Sequence, residues 1–283
     1  MSAPTLLLLA PGDDRPATLQ SADQFLCAMR AERPDLDIRL AHASSCLPSV
    51  AQTVNRIVRS GATEVIIVGL DMIDPHTADS PAPDARSAQA VARHIGERHP
   101  QLKVIAARDF GPEPALLNVV DQQLRSALAD AQVTELDGLV LAAPNTGDAR
   151  IQAKMARCAR QWSHHHRLPV IISSARGGGG VTAARAVGSL RADGRRHIAV
   201  GSWFLTADAL WESERDAALA AGAVAVADPL GAAEESVRVI LSRYAFAAMD
   251  LLDAADPVRE NGIDPVDAEF TESRPRHLTV VSA

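Results

Sequence analysis

Residues 196–244 read RHIAVGSWFLTADALWESERDAALAAGAVAVADPLGAAEESVRVILSRY, and their pattern decides the fold class. An apolar run of strand length over about 197–204 gives way to an amphipathic stretch of helix length over about 207–221. A glycine follows, a second apolar run occupies about 223–227, and a second helical stretch spans about 231–252. In that last stretch Val237, Leu241, Tyr244, Ala248 and Leu251 fall on one side of a helix. Strands that are apolar at nearly every position, with helices between them, are buried on both faces. Parallel sheets reached through right-handed crossovers provide that burial.

The same order of features recurs at a spacing of about 132 residues. LLAPGD at 8–13 faces LAAPNTGD at 141–148, EVIIVG at 64–69 faces HIAVG at 197–201, and VIAARDFGPEPALL at 104–117 faces VAVADPLGAAEESV at 224–237. In the first half the predicted strands lie at about 5–10, 37–43, 64–70 and 102–107, with helices at about 18–33, 48–60, 84–98 and 113–129. In the second they lie at about 138–143, 169–174, 197–204 and 223–227, with helices at about 149–165, 181–192, 207–221 and 231–252. The expected architecture is α/β: two similar doubly wound parallel-sheet halves facing a central cleft, spanning 1–134 and 135–252, followed by a loose polar tail over 253–283. In such sheets ligands sit beyond the carboxyl ends of the strands, so the loops there are the ones to read for chemistry.

Composition narrows the function. The chain has 283 residues, 47% of them hydrophobic, and a formal net charge of −7. No run of Lys and Arg supplies the positive footprint that a phosphate backbone requires, so nucleic acid is not an expected partner. The apolar runs are far shorter than the roughly 20 residues that span a bilayer, and the N-terminus has no signal-peptide pattern, which predicts a cytoplasmic protein with no membrane partner. Three scattered cysteines, Cys27, Cys46 and Cys158, offer neither a disulfide framework nor a zinc or iron–sulfur spacing. ARGGGG at 175–180 lacks the ordered glycines and the Lys-Ser/Thr of phosphate loops, so no nucleotide is expected.

APGDDRP at 10–16, the helix-glycine-strand unit over 49–81 and the stretch over 196–244 together resemble the class II tetrapyrrole chelatases, of the CbiX and SirB type, in their duplicated single-chain form. The resemblance covers roughly residues 4–250. It implies a sirohydrochlorin cobalt- or ferrochelatase, a lyase of cobalamin or siroheme biosynthesis that inserts a divalent metal into a tetrapyrrole without ATP. The metal is then a substrate, Co²⁺, Fe²⁺ or Ni²⁺, and duplication within one chain suits a monomer or a homodimer. A catalytically degenerate relative that binds or carries a tetrapyrrole or a metal, or supports an active partner, is the alternative.

Family members place one histidine in the first-strand loop, a second after the third strand, and often a glutamate at the end of the second strand. Here Pro11 stands where the first histidine would be, so the first metal motif is degenerate; Ser44 falls near the glutamate's position. PHTADSP places His76 on the second histidine, with Asp79 and Pro81 on the acid and proline that follow. His42 ends the second strand two residues before Ser44, and Asp71 and Asp74 precede His76. His42, His76 and one of Asp71, Asp74 or Asp79 would form a relocated imidazole-carboxylate site that binds the ion and receives the pyrrole protons. Arg15, Arg150 and Arg176, in loops at strand ends, could pair with tetrapyrrole carboxylates, and Gly12, Asp13 and Ser44 line the same loops. The bland reading of His42, the acids and the arginines is ordinary solvation on loops. His164, His165 and His166, at the end of a helix, are expected to complement its dipole, and Trp203 and Phe204 to fill core.

Overall fold

The computed structural model describes residues 3–10, 14–43, 46–70, 72, 87–108, 110–144, 148–175 and 181–255. Four leucines form the middle of β1 (Thr5–Ala10), and all six residues of the strand are buried. Alternation sends Leu6 and Leu8 into one core cluster and Leu7 and Leu9 into another, so a continuous apolar run serves both faces of one sheet. β1 lies between β2 (Ile38–His42) and β3 (Glu64–Gly69), with β4 (Lys103–Ala106) beyond β3. The second sheet repeats the plan with β5 (Gly138–Pro144) between β6 (Val170–Ala175) and β7 (Ile198–Ser202), and β8 (Ala225–Val226) beyond. Every pairing in both sheets is parallel. The fold class read from the apolar periodicity is therefore the fold observed.

The helices are α1 (Pro16–Glu32), α2 (Val50–Arg59), α3 (Ala88–Arg98), α4 (Leu117–Asp130), α5 (Ala149–His166), α6 (Ala183–Ala192), α7 (Ala209–Ala220) and α8 (Glu234–Ala255). Their starts are chemically marked. Pro16 opens α1, where a missing N–H costs nothing, and Ser49 forms a reciprocal capping box with Gln52 at α2. Ser87, Asp148, Thr182 and Asp208 cap α3, α5, α6 and α7 by accepting from backbone N–H groups. The helix predicted over 113–129 divides into a 3₁₀ turn at Pro114–Leu116 and α4, and the strand predicted over 223–227 shortens to the two residues of β8. β7 ends at Ser202, and Trp203 and Phe204 just beyond it are buried in separate core clusters.

The halves exchange their last helices. α4, which follows the first sheet in sequence, packs on β7 and β8 of the second, and α8 packs on β3 and β4 of the first. Polar contacts pin each exchanged helix. The Tyr244 hydroxyl donates to the Pro4 carbonyl at 2.7 Å, and Arg243 donates to the Phe110 carbonyl at 3.1 Å and pairs with Glu113. On the other side the Trp162 indole N–H of α5 donates to Asp121 Oδ1 of α4 at 2.6 Å. One buried cluster consequently joins Leu6, Leu8 and Val68 of the first sheet to Leu139, Leu141 and Ala199 of the second. Gly201 of β7 marks the closest approach, since a Cβ there would lie 2.5 Å from Cη2 of Trp162 and 2.8 Å from Cγ1 of Val120.

Candidate metal and tetrapyrrole site

Parallel pairing places the carboxyl ends of all four strands of a sheet on one edge. The segments that follow β1 and β7 touch across the two halves. Arg15, just before α1, pairs with Glu212 of α7, and Thr18 Oγ1 donates to the Ala207 carbonyl at 2.9 Å. Arg15 and Glu212 are 42% and 36% exposed, so this ion pair lies at the rim, where another anion can reach the guanidinium. Arg150 sits in the first turn of α5 with its side chain exposed, and its backbone N–H donates to Asp148 at 2.6 Å.

His42 is the last residue of β2, beside Ala10 of β1, and is only 3% exposed. Its backbone N–H donates to the Pro48 carbonyl at 3.0 Å, which folds the β2–α2 loop back against the strand end. It lines a cavity of about 890 Å³ between α2 and α3, together with Ser49, Val54, His94 and His99, all from the first half. His42 thus belongs to a strand end and to the lining of this open pocket, not to a solvated loop. Cys46 is half-buried in the same β2–α2 connection. Gly12, Asp13, Ser44, Asp71, Asp74, His76, Asp79 and Arg176 lie outside the described residues, as does Pro11.

Besides Glu212, two further carboxylates were not singled out by sequence. Glu214 of α7 is 8% exposed and accepts from the Ala183 N–H at 2.8 Å, which satisfies a first-turn donor of α6. Asp121 of α4 stands against His165 and His166 of α5. The histidine run was legible, but its acidic neighbour comes from the exchanged helix of the other half and shares no local motif with it. Cys158, also on α5, is buried; burial pushes its thiol pKa up, with nearby Glu113 acting in the same direction.

Residues 5–127 match the family model described as CbiX. Over these residues the chain is similar to the CbiX family. They comprise the first sheet and nearly all of α4, so the family match includes the helix that the first half lends to the second. No curated protein sequence matches the chain at a significant level. Among solved structures, the sirohydrochlorin chelatase SirB from Bacillus subtilis subspecies spizizenii, in complex with cobalt, superposes with a TM-score of 0.66 at 13% identity, covering 89% of this chain and 97% of that one. SirB from Bacillus subtilis with Fe³⁺ gives a TM-score of 0.65 at 16% identity, covering 88% and 98%. CbiX, the terminal enzyme for siroheme biosynthesis in denitrifying bacteria, gives 0.54 at 16% identity, covering 86% and 99%. The likeness in structure extends over both halves, so the fold shared with these structures is that of the whole α/β body. Among the described residues no helix is long and apolar enough to cross a membrane.

Proposed function

We propose that the protein is a sirohydrochlorin-type chelatase that inserts Co²⁺ or Fe²⁺ into a tetrapyrrole held between its halves, without a nucleotide, in the cytoplasm. The observation that carries the reading is the CbiX family match over residues 5–127. The contact between the segments after β1 and β7 agrees with it, because a ligand at the strand ends would meet both halves there. Metal insertion requires a donor set for the incoming ion and acceptors for two pyrrole protons. His76, with His42 and one of Asp71, Asp74 or Asp79, is the proposed set, since neutral imidazole both binds such ions and takes protons near pH 7. Arg15, Arg150 and Arg176, with Gly12, Asp13 and Ser44, are the proposed contacts for the macrocycle and its carboxylates. A substrate carboxylate would displace Glu212 from Arg15, an exchange of little cost between partly exposed partners.

Pro11 favours a second reading. Proline offers no side-chain ligand where the family places its first histidine, which suits a protein that carries a tetrapyrrole without metallating it. An anaerobic visible spectrum of sirohydrochlorin with excess Co²⁺, followed with and without protein, separates the two. The expected result is metallation faster than the uncatalysed rate, slowed at least about tenfold by His76→Ala, the scale of a lost acid–base or ligand group. A spectral shift without acceleration would establish the carrier. No shift would remove sirohydrochlorin as the ligand.

A further inference from the structure

The seam made by the helix exchange brings together three groups that the cleft chemistry does not use. Asp121 projects from α4, and His165 and His166 from the last turn of α5. His166 Nε2 lies 2.8 Å from Asp121 Oδ1, and His165 Nε2 lies 3.8 Å from Asp121 Oδ2, so each carboxylate oxygen faces a different imidazole. One ligand atom from each of the three residues falls within 4.8 Å of the others. Metal–ligand bonds of about 2.0–2.2 Å in tetrahedral geometry put ligand atoms roughly 3.3 Å apart, inside the span these atoms already occupy. Consecutive helical residues point about 100° apart. Here the helix ends at once, with Arg167 in the left-handed region at φ 56°, and the two rings stand 4.8 Å apart and nearly perpendicular.

The surroundings hold the set in place. The Trp162 N–H donates to Asp121 Oδ1 at 2.6 Å and fixes the carboxylate, while the Trp162 ring meets His166 edge-on at 5.5 Å. Outer partners of this kind orient a first-row metal site. Asp121 and His166 are 13% and 24% exposed, whereas His165 is 64% exposed and leaves an approach for an ion from solvent.

We propose that Asp121, His165 and His166 form a binding site for a first-row divalent cation, Zn²⁺ or Ni²⁺, that clamps α4 of the first half to α5 of the second. Two imidazoles and a carboxylate are the donor set such ions favour, with water completing the coordination. The bound ion would join residues distant in sequence that meet only in the folded state, so it stabilises the exchanged arrangement by mass action. The site uses none of the residues proposed for metal insertion and does not depend on the chelatase reading.

The test is Ni²⁺ titration of the full chain, followed by equilibrium dialysis and by quenching of the tryptophan fluorescence, in the unaltered protein and in His165→Ala, Asp121→Asn, His164→Ala and His76→Ala. His165 is exposed enough that its removal leaves packing intact, and near-UV circular dichroism checks this for each variant. The expected result is one quenching equivalent in the unaltered protein, retained in His164→Ala and His76→Ala. Its affinity should weaken by more than about tenfold in His165→Ala and Asp121→Asn, since even outer partners cost that much. Zn²⁺ should raise the Tm of the unaltered protein and not of His165→Ala. The proposal is overturned if the unaltered protein shows no such equivalent, if His165→Ala and Asp121→Asn keep it, or if His76→Ala alone removes it. Metal binding that survives a failed insertion assay would separate this site from the proposed activity.

Discussion

Gly201 shows how one residue sets a distance between layers. A glycine inside an apolar strand fits close approach of some other group, and HIAVG carries one at Gly201. What approaches is Trp162 of α5 and Val120 of the exchanged α4, both buried, and neither can be inferred from its place in the chain. Gly201→Ala places a methyl group 2.5 Å from a buried ring carbon with little room to yield. The substitution is expected to cost about 1–3 kcal/mol, as overpacking does, measured as a lower urea midpoint with an unchanged slope. His42 is the complementary case. Its sequence position permitted a solvated loop or a strand end, and the structure buries it as the last residue of β2, beside Ala10 of β1.

At the scale of elements, periodicity made most helices legible, whereas the partner of each helix was not. The apolar side of α8 was readable from Val237, Leu241, Tyr244, Ala248 and Leu251, yet the same pattern would fit docking on either sheet. The Tyr244 hydroxyl decides for the first by bonding to Pro4. Burial pushes the Tyr244 phenol above its usual pKa of 10.0, with Arg33 opposing in part. In the unfolded chain the phenol ionises near its ordinary value, so the unfolded state loses its proton first. The stabilisation is therefore present below about pH 10 and is lost as pH rises through the higher folded-state value. Tyr244→Phe is expected to lower stability by about 1 kcal/mol at neutral pH and to flatten the alkaline decline, read from denaturation midpoints between pH 8 and about 11.

At the scale of the molecule, the exchange makes each half depend on the other. Residues 1–134, taken alone, would expose the faces of β3 and β4 that α8 covers and leave the apolar side of α4 without its sheet. A fragment of those residues is expected to be loosely packed or aggregated by size-exclusion chromatography and near-UV circular dichroism. Co-expression with a fragment beginning at 135 should restore a native near-UV spectrum. The intact chain should unfold in one transition, because the cluster that contains Leu6 also contains Leu139.

Sequence by itself determined the parallel α/β class, the duplication and the order of elements. Those properties follow from apolar runs, helical periodicity and glycines, which are patterns of neighbouring residues. The tertiary structure decided which sheet receives α4 and α8, and with it the meeting of Arg15 with Glu212 and of Asp121 with His165 and His166. Local pattern records that a helix has an apolar face; it does not record which of two similar sheets will cover that face. Side chains more than a hundred residues apart, or on opposite halves, become neighbours only when burial of those faces selects one packing.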